Sequence, residues 1–127
     1  FAFTDIEMVF NEEKKAVDWI FRYGNEALAT LEKQPLDKMI GSSFSSLFSN
    51  MDAKWLQVYE RATLYGETLE IMDYSPEIDT NLKIICFPTF PGHCGCILFN
   101  ADKMKSISEE KHLVRLVAVS IKGSSSK

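Results

Sequence analysis

Polar and apolar residues alternate near the start of the chain, over Asp5–Phe10. A period of two is typical of a β-strand with one buried face. A charged turn at residues 11–15 follows, and the next segment, Val17–Tyr23, is rich in aromatic and β-branched residues. Such residues favour strands. The pattern therefore predicts a β-hairpin at the start of the chain.

Helices are predicted after this hairpin. Asn25 is suited to cap a short helix over Glu26–Glu32, with Leu28 facing inward, because its side-chain oxygen can accept a hydrogen bond from a free amide of the first turn. Pro35 suits the first turn of a second short helix, which Gly41 ends.

The clearest helix is predicted from about Asp52 to Tyr65, with Gly66 as a left-handed cap at its end. Its apolar residues recur at helical spacing and form one stripe. The stripe consists of Met51, Trp55, Val58, Tyr59 and Ala62.

Strand-like segments follow over Thr68–Tyr74, Leu82–Phe87 and Cys94–Phe99. In the second of them Leu82, Ile84 and Cys86 share one face, while Lys83, Ile85 and Phe87 share the other. Both faces of the last two strands are largely apolar, which indicates a sheet covered on both sides. A terminal helix or a partner subunit could supply the outer cover.

The tail from Asp102 is compatible with a helix or a strand over Ser106–Ser120. Helical spacing links Leu113, Leu116, Val117, Ser120 and Ile121, whereas the β-branched content of this stretch argues for a strand. We favour a helix because Ser108–Glu110 has the features of a helix start. Residues 123–127 have the composition of a flexible linker.

Composition and charge narrow the classes of function. The chain has 127 residues, a formal charge of −4 and 46% hydrophobic residues, which predicts one globular domain. A mildly acidic chain has no bulk attraction for nucleic acid or anionic membrane, and no apolar run approaches the ~20 residues of a membrane span. The odd number of cysteines favours free thiols and a cytoplasmic location. The first residue is not Met, and we expect a piece of a longer protein.

Several motifs, taken in order, resemble the PAS family of sensory domains. Asp18–Ala27 resembles the segment in which a PAS strand ends on Asn and enters a helix, and Met39–Phe44 resembles the family's Ile-Gly-x-x-Phe turn. Further matches to one PAS subgroup are Trp55, Tyr59, Ala62, Gly66–Glu67, Tyr74–Glu77, Leu82, Ile84 and Phe99. The resemblance covers roughly three quarters of the chain.

The resemblance implies an α+β fold. We expect a five-stranded antiparallel sheet with short helices and one longer connecting helix on one face, and a C-terminal helix. The PAS sensor domain would occupy residues 1–101, and residues 102–127 would form a C-terminal signalling or linker segment.

The resemblance also implies a function. The chain would be a cytoplasmic sensory domain that binds a small molecule or relays a conformational input to an output domain. By resemblance that output is a bacterial diguanylate cyclase of the GGDEF type or a sensor histidine kinase, and a homodimer is expected. The alternative is a ligand-free PAS module for dimerisation. A more distant alternative is a small enzyme with Asp73 and His93 as an acid–base pair, although no known catalytic motif is present.

The PAS resemblance places Arg22 and Gly24 toward a ligand pocket. An inward Arg22 would need a carboxylate partner or an anionic ligand. In the opposite strand parity Arg22 is solvated, with Trp19 and Phe21 inside. The other predicted ligand-binding residues are Leu28, Phe44, Trp55, Tyr59, Ile84 and Cys86; the aromatic residues among them could equally be plain core packing.

The cofactors that PAS domains use match poorly. Flavin photosensing needs a reactive Cys just after the Ile-Gly turn, where residues 41–46 contain none, and haem sensing needs a His on or near the long helix. Neither flavin nor haem is therefore expected, and the ligand stays unknown. Cys86, Cys94 and Cys96 with His93 could form a metal or redox site, but buried free cysteines more often behave as small hydrophobes, so no metal is predicted.

Overall fold

A computed structural model describes residues 1–49, 53–103, 114–119 and 121 of the chain. The strands are β1 (Ala2–Phe10), β2 (Ala16–Gly24), β3 (Leu69–Ser75), β4 (Thr80–Pro88) and β5 (His93–Asn100). They form one antiparallel sheet in the order β2-β1-β5-β4-β3, which leaves β2 and β3 as its edges. The α+β class and the five-stranded antiparallel sheet predicted from the sequence are confirmed.

Several helices lie between β2 and β3 in the chain. They are α1 (Glu26–Glu32), α2 (Leu36–Met39), α3 (Phe44–Leu47) and α4 (Ala53–Tyr65). On α4, Trp55, Tyr59 and Ala62 are buried, as the predicted stripe requires, while Met51 lies outside the described residues. Gly66 has a φ of 67°, in agreement with its predicted role at the end of the helix.

Asn25 joins the start of α1 to the sheet. Its side-chain oxygen accepts hydrogen bonds from the backbone amides of Leu28, at 3.0 Å, and of Phe3, at 3.1 Å. Its side-chain amide donates to the Phe1 carbonyl at 3.0 Å. The predicted cap is therefore present, and the same side chain also fixes the first helix against β1.

A β-bulge in β2 decides which side chains face the helices. Phe21 pairs with Ile6 and Tyr23 pairs with Asp5, so Arg22 has no partner on β1. The extra residue reverses the alternation of faces. Trp19 and Phe21 come before the bulge along β2, and Gly24 comes after it. All three residues therefore face the helix layer.

The sheet has a hydrophobic core on each face. The larger core lies against the helices and includes Ile6, Phe21, Leu28, Ile84 and Cys86. The smaller one contains Phe3, Phe87 and Ile97 on the opposite face, which we call the outer face.

A C-terminal helix, described at residues 114–119 and 121, packs on the outer face through Val114, Val117, Ala118 and Ile121. A helix, and not a strand, thus forms at these residues and supplies part of the expected outer cover. Leu116, which helical spacing links to Val117 and Ile121, is exposed on this helix. The predicted helix start at Ser108–Glu110, Leu113, Ser120 and the linker at residues 123–127 lie outside the described residues. Within the described ranges, no helix combines the length and apolar character needed to cross a membrane.

Candidate functional site

Aromatic side chains from three elements meet between the sheet and the helices. The Trp19 ring on β2 lies 4.3 Å from the Phe44 ring and 5.0 Å from the Tyr59 ring, centroid to centroid. Trp55, Phe44, Tyr59 and Ile84 also line a cavity of about 20 Å³ at this point. A cavity of this size holds about one water molecule. We call it the inner cavity.

Most of the predicted ligand-binding residues belong to this side of the sheet. Phe44, Trp55, Tyr59 and Ile84 line the inner cavity. Leu28 and Cys86 belong to the same core, and both are fully buried. These side chains are brought together as predicted, but they fill nearly all the space between them.

Arg22 is the residue that the structure places elsewhere. It is exposed on the outer face, where its Nε atom lies 2.8 Å from Glu7 Oε1. The interpretation that points Arg22 into a pocket is wrong, and the alternative, with Trp19 and Phe21 inside, is confirmed. The physical reason is the inward direction of Phe21, because the residue that follows it in the strand points to the opposite face. The bulge acts on the residues after Arg22 and brings Gly24 back to the helix side.

We expect Arg22→Ala to change the free energy of unfolding by less than about 0.5 kcal/mol, because exposed ion pairs contribute little. Chemical unfolding of both proteins measures this difference. Thermal melts with added acetate or succinate should show the same small difference, and Glu7→Gln serves as the matched control. A large loss of stability, or protection by the carboxylates that depends on Arg22, would contradict the exposed position.

Gly24 faces the helix layer but leaves no room for a ligand. A Cβ atom at this position would lie 2.5 Å from Leu28 Cδ2 and 3.3 Å from Leu36 Cδ1. The missing side chain therefore allows Leu28, which is fully buried, to pack against the backbone of β2. Gly24 acts as a close-packing position, and the predicted space beside it is occupied.

We expect Gly24→Ala to destabilise the fold by about 1–3 kcal/mol, because overpacking a filled core forces side chains out of their preferred rotamers. Urea unfolding gives the change. In a Leu28→Val background the added methyl group no longer meets a Cδ2 atom, and the cost of Gly24→Ala should shrink. An equal cost in both backgrounds would show that the clash with Leu28 does not cause the effect.

Polar groups missed by the sequence interpretation also line the inner cavity. Glu32, Ser75 and Glu77 lie there, and Ser75 Oγ donates a hydrogen bond to Glu77 Oε2 at 2.6 Å. Glu32 is 8% exposed. One signal was visible in the sequence: Glu32 is four residues after Leu28, on the buried side of α1.

Burial changes the acidity of Glu32. Burial, and to a lesser extent the nearby negative charge of Glu77, raises the pKa of this carboxyl from its ordinary value of 4.5 to about 7. Burial likewise raises the pKa of Tyr59 well above its ordinary range. The cavity thus has aromatic walls and a carboxyl group that can lose its proton close to neutral pH.

The three cysteines face the same inner core. Cys86 and Cys96 are opposite each other on β4 and β5, and all three are buried, unbridged thiols. Burial raises the pKa of Cys86 to about 12 and that of Cys96 well above its ordinary range. Such thiols are inert because metals and oxidants react with the thiolate. Within the described ranges, no three His, Cys, Asp or Glu side chains are placed to hold a metal.

His93 lies on the other side of the sheet from these thiols. Its Nδ1 atom is 2.8 Å from Asp5 Oδ2, and Thr89 Oγ1 donates to Asp5 Oδ1 at 2.5 Å. Asp73 is instead exposed on β3 and forms an ion pair with Lys54 at 3.2 Å. The interpretation that pairs Asp73 with His93 is therefore wrong.

Comparison with known proteins adds no identity to this geometry. No protein-family model, no curated protein and no solved structure matches the chain. The case for a function therefore depends on the sequence motifs and on the arrangement of the described residues.

Proposed function

We propose that this chain is a PAS-type sensory domain of a cytoplasmic bacterial signalling protein. The strand order β2-β1-β5-β4-β3, the helices on one face and the longer α4 are compatible with the PAS fold. The Asn25 cap supports the sequence resemblance over Asp18–Ala27. Three free buried thiols support a reducing compartment.

The observation that carries this proposal is the position of the sheet between the inner cavity and the C-terminal helix. Neighbouring residues of β5 face opposite sides: Cys96 belongs to the inner core, and Ile97 contacts the core beneath the C-terminal helix. If a change in the cavity shifts the strands, the surface on which the C-terminal helix packs therefore changes as well. Packed layers favour discrete arrangements over gradual deformation, which suits a two-state relay.

In this proposal residues 1–101 sense the input and residues 102–127 pass it on to an output domain, a diguanylate cyclase or a histidine kinase. The input is a small molecule at the inner cavity. Because the cavity holds about 20 Å³, the ligand must displace side chains such as Phe44 on the short helix α3. Glu32 would favour a ligand that donates a hydrogen bond or carries a positive charge.

Native mass spectrometry tests the proposed sensing function directly. We expect the purified chain to retain a small molecule, or to gain thermal stability with a cationic or hydrogen-bond-donating compound from a metabolite screen. Glu32→Gln keeps the size of the side chain but removes its charge, so it should weaken that binding at least tenfold. Glu12→Gln, in the exposed β1–β2 turn, is the matched control and should bind normally. A chain without retained mass, without any stabilising compound and with a filled cavity would refute the sensing function.

A ligand-free dimerisation module is the second candidate. It is favoured by the nearly filled inner cavity and by the exposure of Leu116 and Val119 on the C-terminal helix. Sedimentation analysis of the chain and of Leu116→Asp separates the two candidates. A dimer that Leu116→Asp dissociates, together with an absence of bound ligand, would favour the dimerisation module.

A further inference from the structure

A larger cavity lies on the outer face of the sheet, away from the inner cavity. It is a groove of about 590 Å³ between β1, β2 and the C-terminal helix. Small-molecule sites have volumes of about 300–1,000 Å³ and mostly apolar walls with a few polar groups. The walls of this groove are apolar and include Phe3, Tyr23, Phe90, Leu116, Val117 and Ile121. We call it the outer groove.

One carboxylate lies within these apolar walls. Asp5 also lines the outer groove and is 6% exposed. Its two oxygens are held by Thr89 and by His93, one partner each. A carboxylate oxygen can accept more than one hydrogen bond, so Asp5 keeps acceptor capacity. The described residues that line the groove include no Lys or Arg.

We propose that the outer groove binds a small aromatic amine, with the ring among Phe3, Tyr23 and Phe90 and the ammonium group directed at Asp5. Aromatic faces attract cations, and this attraction is stronger when water is excluded. A charge-assisted hydrogen bond to a fixed carboxylate adds specificity. An anionic ligand would instead meet the like charge of Asp5 in a poorly solvated position. The site therefore selects cations over anions of equal size.

The fixed position of Asp5 supports a built recognition site. Asp5 lies opposite Tyr23 and Gly95 in the sheet, so its backbone is held by strands on both sides. A Cβ atom on Gly95 would lie 3.0 Å from Thr89 Cγ2, so the Gly95 backbone permits the close approach of Thr89. The carboxylate is thus oriented before any ligand arrives, which lowers the entropic cost of binding.

Three ligands with the same ring and a two-carbon side chain test the charge preference: phenethylamine, 2-phenylethanol and phenylacetate. Titrations followed by amide chemical shifts report the dissociation constant and the location together. We expect saturable shifts at Tyr23 and Val117, and binding of phenethylamine at least tenfold tighter than that of the alcohol or the acid.

Variants assign the preference to particular side chains. In Asp5→Asn the dissociation constant of phenethylamine should lie within about threefold of that of 2-phenylethanol. Asp5 is buried, so its variant could unfold, and Phe90→Ala in the partly exposed wall of the groove supplies a second test. In this variant the affinities for all three compounds should fall together. Glu32→Gln lies on the opposite side of the sheet and should leave phenethylamine binding unchanged, so this test is independent of the proposed sensing at the inner cavity.

The outcomes are decisive in each direction. Equal affinity for the three compounds would overturn the cation preference and reveal a nonspecific apolar surface. Loss of phenethylamine binding in Glu32→Gln, or shifts confined to Trp55 and Tyr59, would place the site at the inner cavity instead. Shifts that do not saturate would overturn the outer groove as a binding site.

Discussion

Glu32→Gln should stabilise the protein at alkaline pH and have little effect at acid pH. Folding raises the pKa of Glu32 from 4.5 to about 7, so the folded state binds this proton more tightly than the unfolded state does. The stability that follows from the bound proton is complete below about pH 4.5 and is lost as the pH rises through about 7. Above that pH the buried charge costs on the order of 3 kcal/mol, which Gln does not incur.

Urea unfolding at about pH 5 and about pH 9 measures this effect. The expected gain for Glu32→Gln is on the order of 2–3 kcal/mol at the higher pH and below about 1 kcal/mol at the lower one. Glu77→Gln should give a smaller gain of the same sign, because Glu77 contributes less than burial to the raised pKa. Glu12→Gln is the exposed control and should show no such dependence on pH. A gain that is equal at both pH values would show that Glu32 is not an ionised buried group at alkaline pH.

The sequence predicted those parts of the fold that depend on local chemistry. Asn25 caps a helix because its short side chain can reach the free amides, and Gly66 ends α4 because it can adopt a positive φ. The two-sided character of β4 followed from its apolar residues on both faces. These features depend on a few neighbouring residues, and each is present in the structure.

The direction of the β2 side chains could not be read from the sequence. Strict alternation would place Phe21 and Gly24 on opposite faces, and both alternatives for Arg22 assumed such alternation. The bulge at Arg22 breaks it, because two residues of β2 are set against one step of β1. A bulge depends on the register of the partner strand, which is tertiary information. The bulge also explains how Phe21 and Gly24, three residues apart, can share one face.

The residues of the candidate site could be predicted only in part, for a related reason. The apolar members, such as Tyr59 and Ile84, follow from helical and strand periodicity. The polar members do not, since Glu32 comes from α1, Ser75 from the end of β3 and Glu77 from the turn after it. Only the fold brings them together. The Asp5–His93 hydrogen bond joins residues 88 positions apart and gives no signal in the sequence.

Trp19→Ala should destabilise the protein by about 3–5 kcal/mol, the range found for large aromatic residues in cores. Trp19 is 4% exposed and contacts the rings of Phe21, Phe44 and Tyr59. Its removal would enlarge the inner cavity from about 20 Å³ to a space of indole size. Equilibrium unfolding measures the loss, and Tyr23→Ala, an exposed aromatic on the same strand, should lose less than about 1 kcal/mol.

Indole added to Trp19→Ala should restore part of the lost stability, because a ligand that binds only the folded state stabilises it in proportion to the logarithm of its concentration. The wild-type protein has no such space and should respond little. This contrast tests whether the helix layer can accept a ligand of aromatic size without losing the fold, which the proposed sensing function requires. Equal stabilisation of both proteins would place the indole elsewhere, for example in the outer groove. If indole fails to stabilise the variant, the helix layer collapses into the space, and the inner cavity cannot be the ligand site.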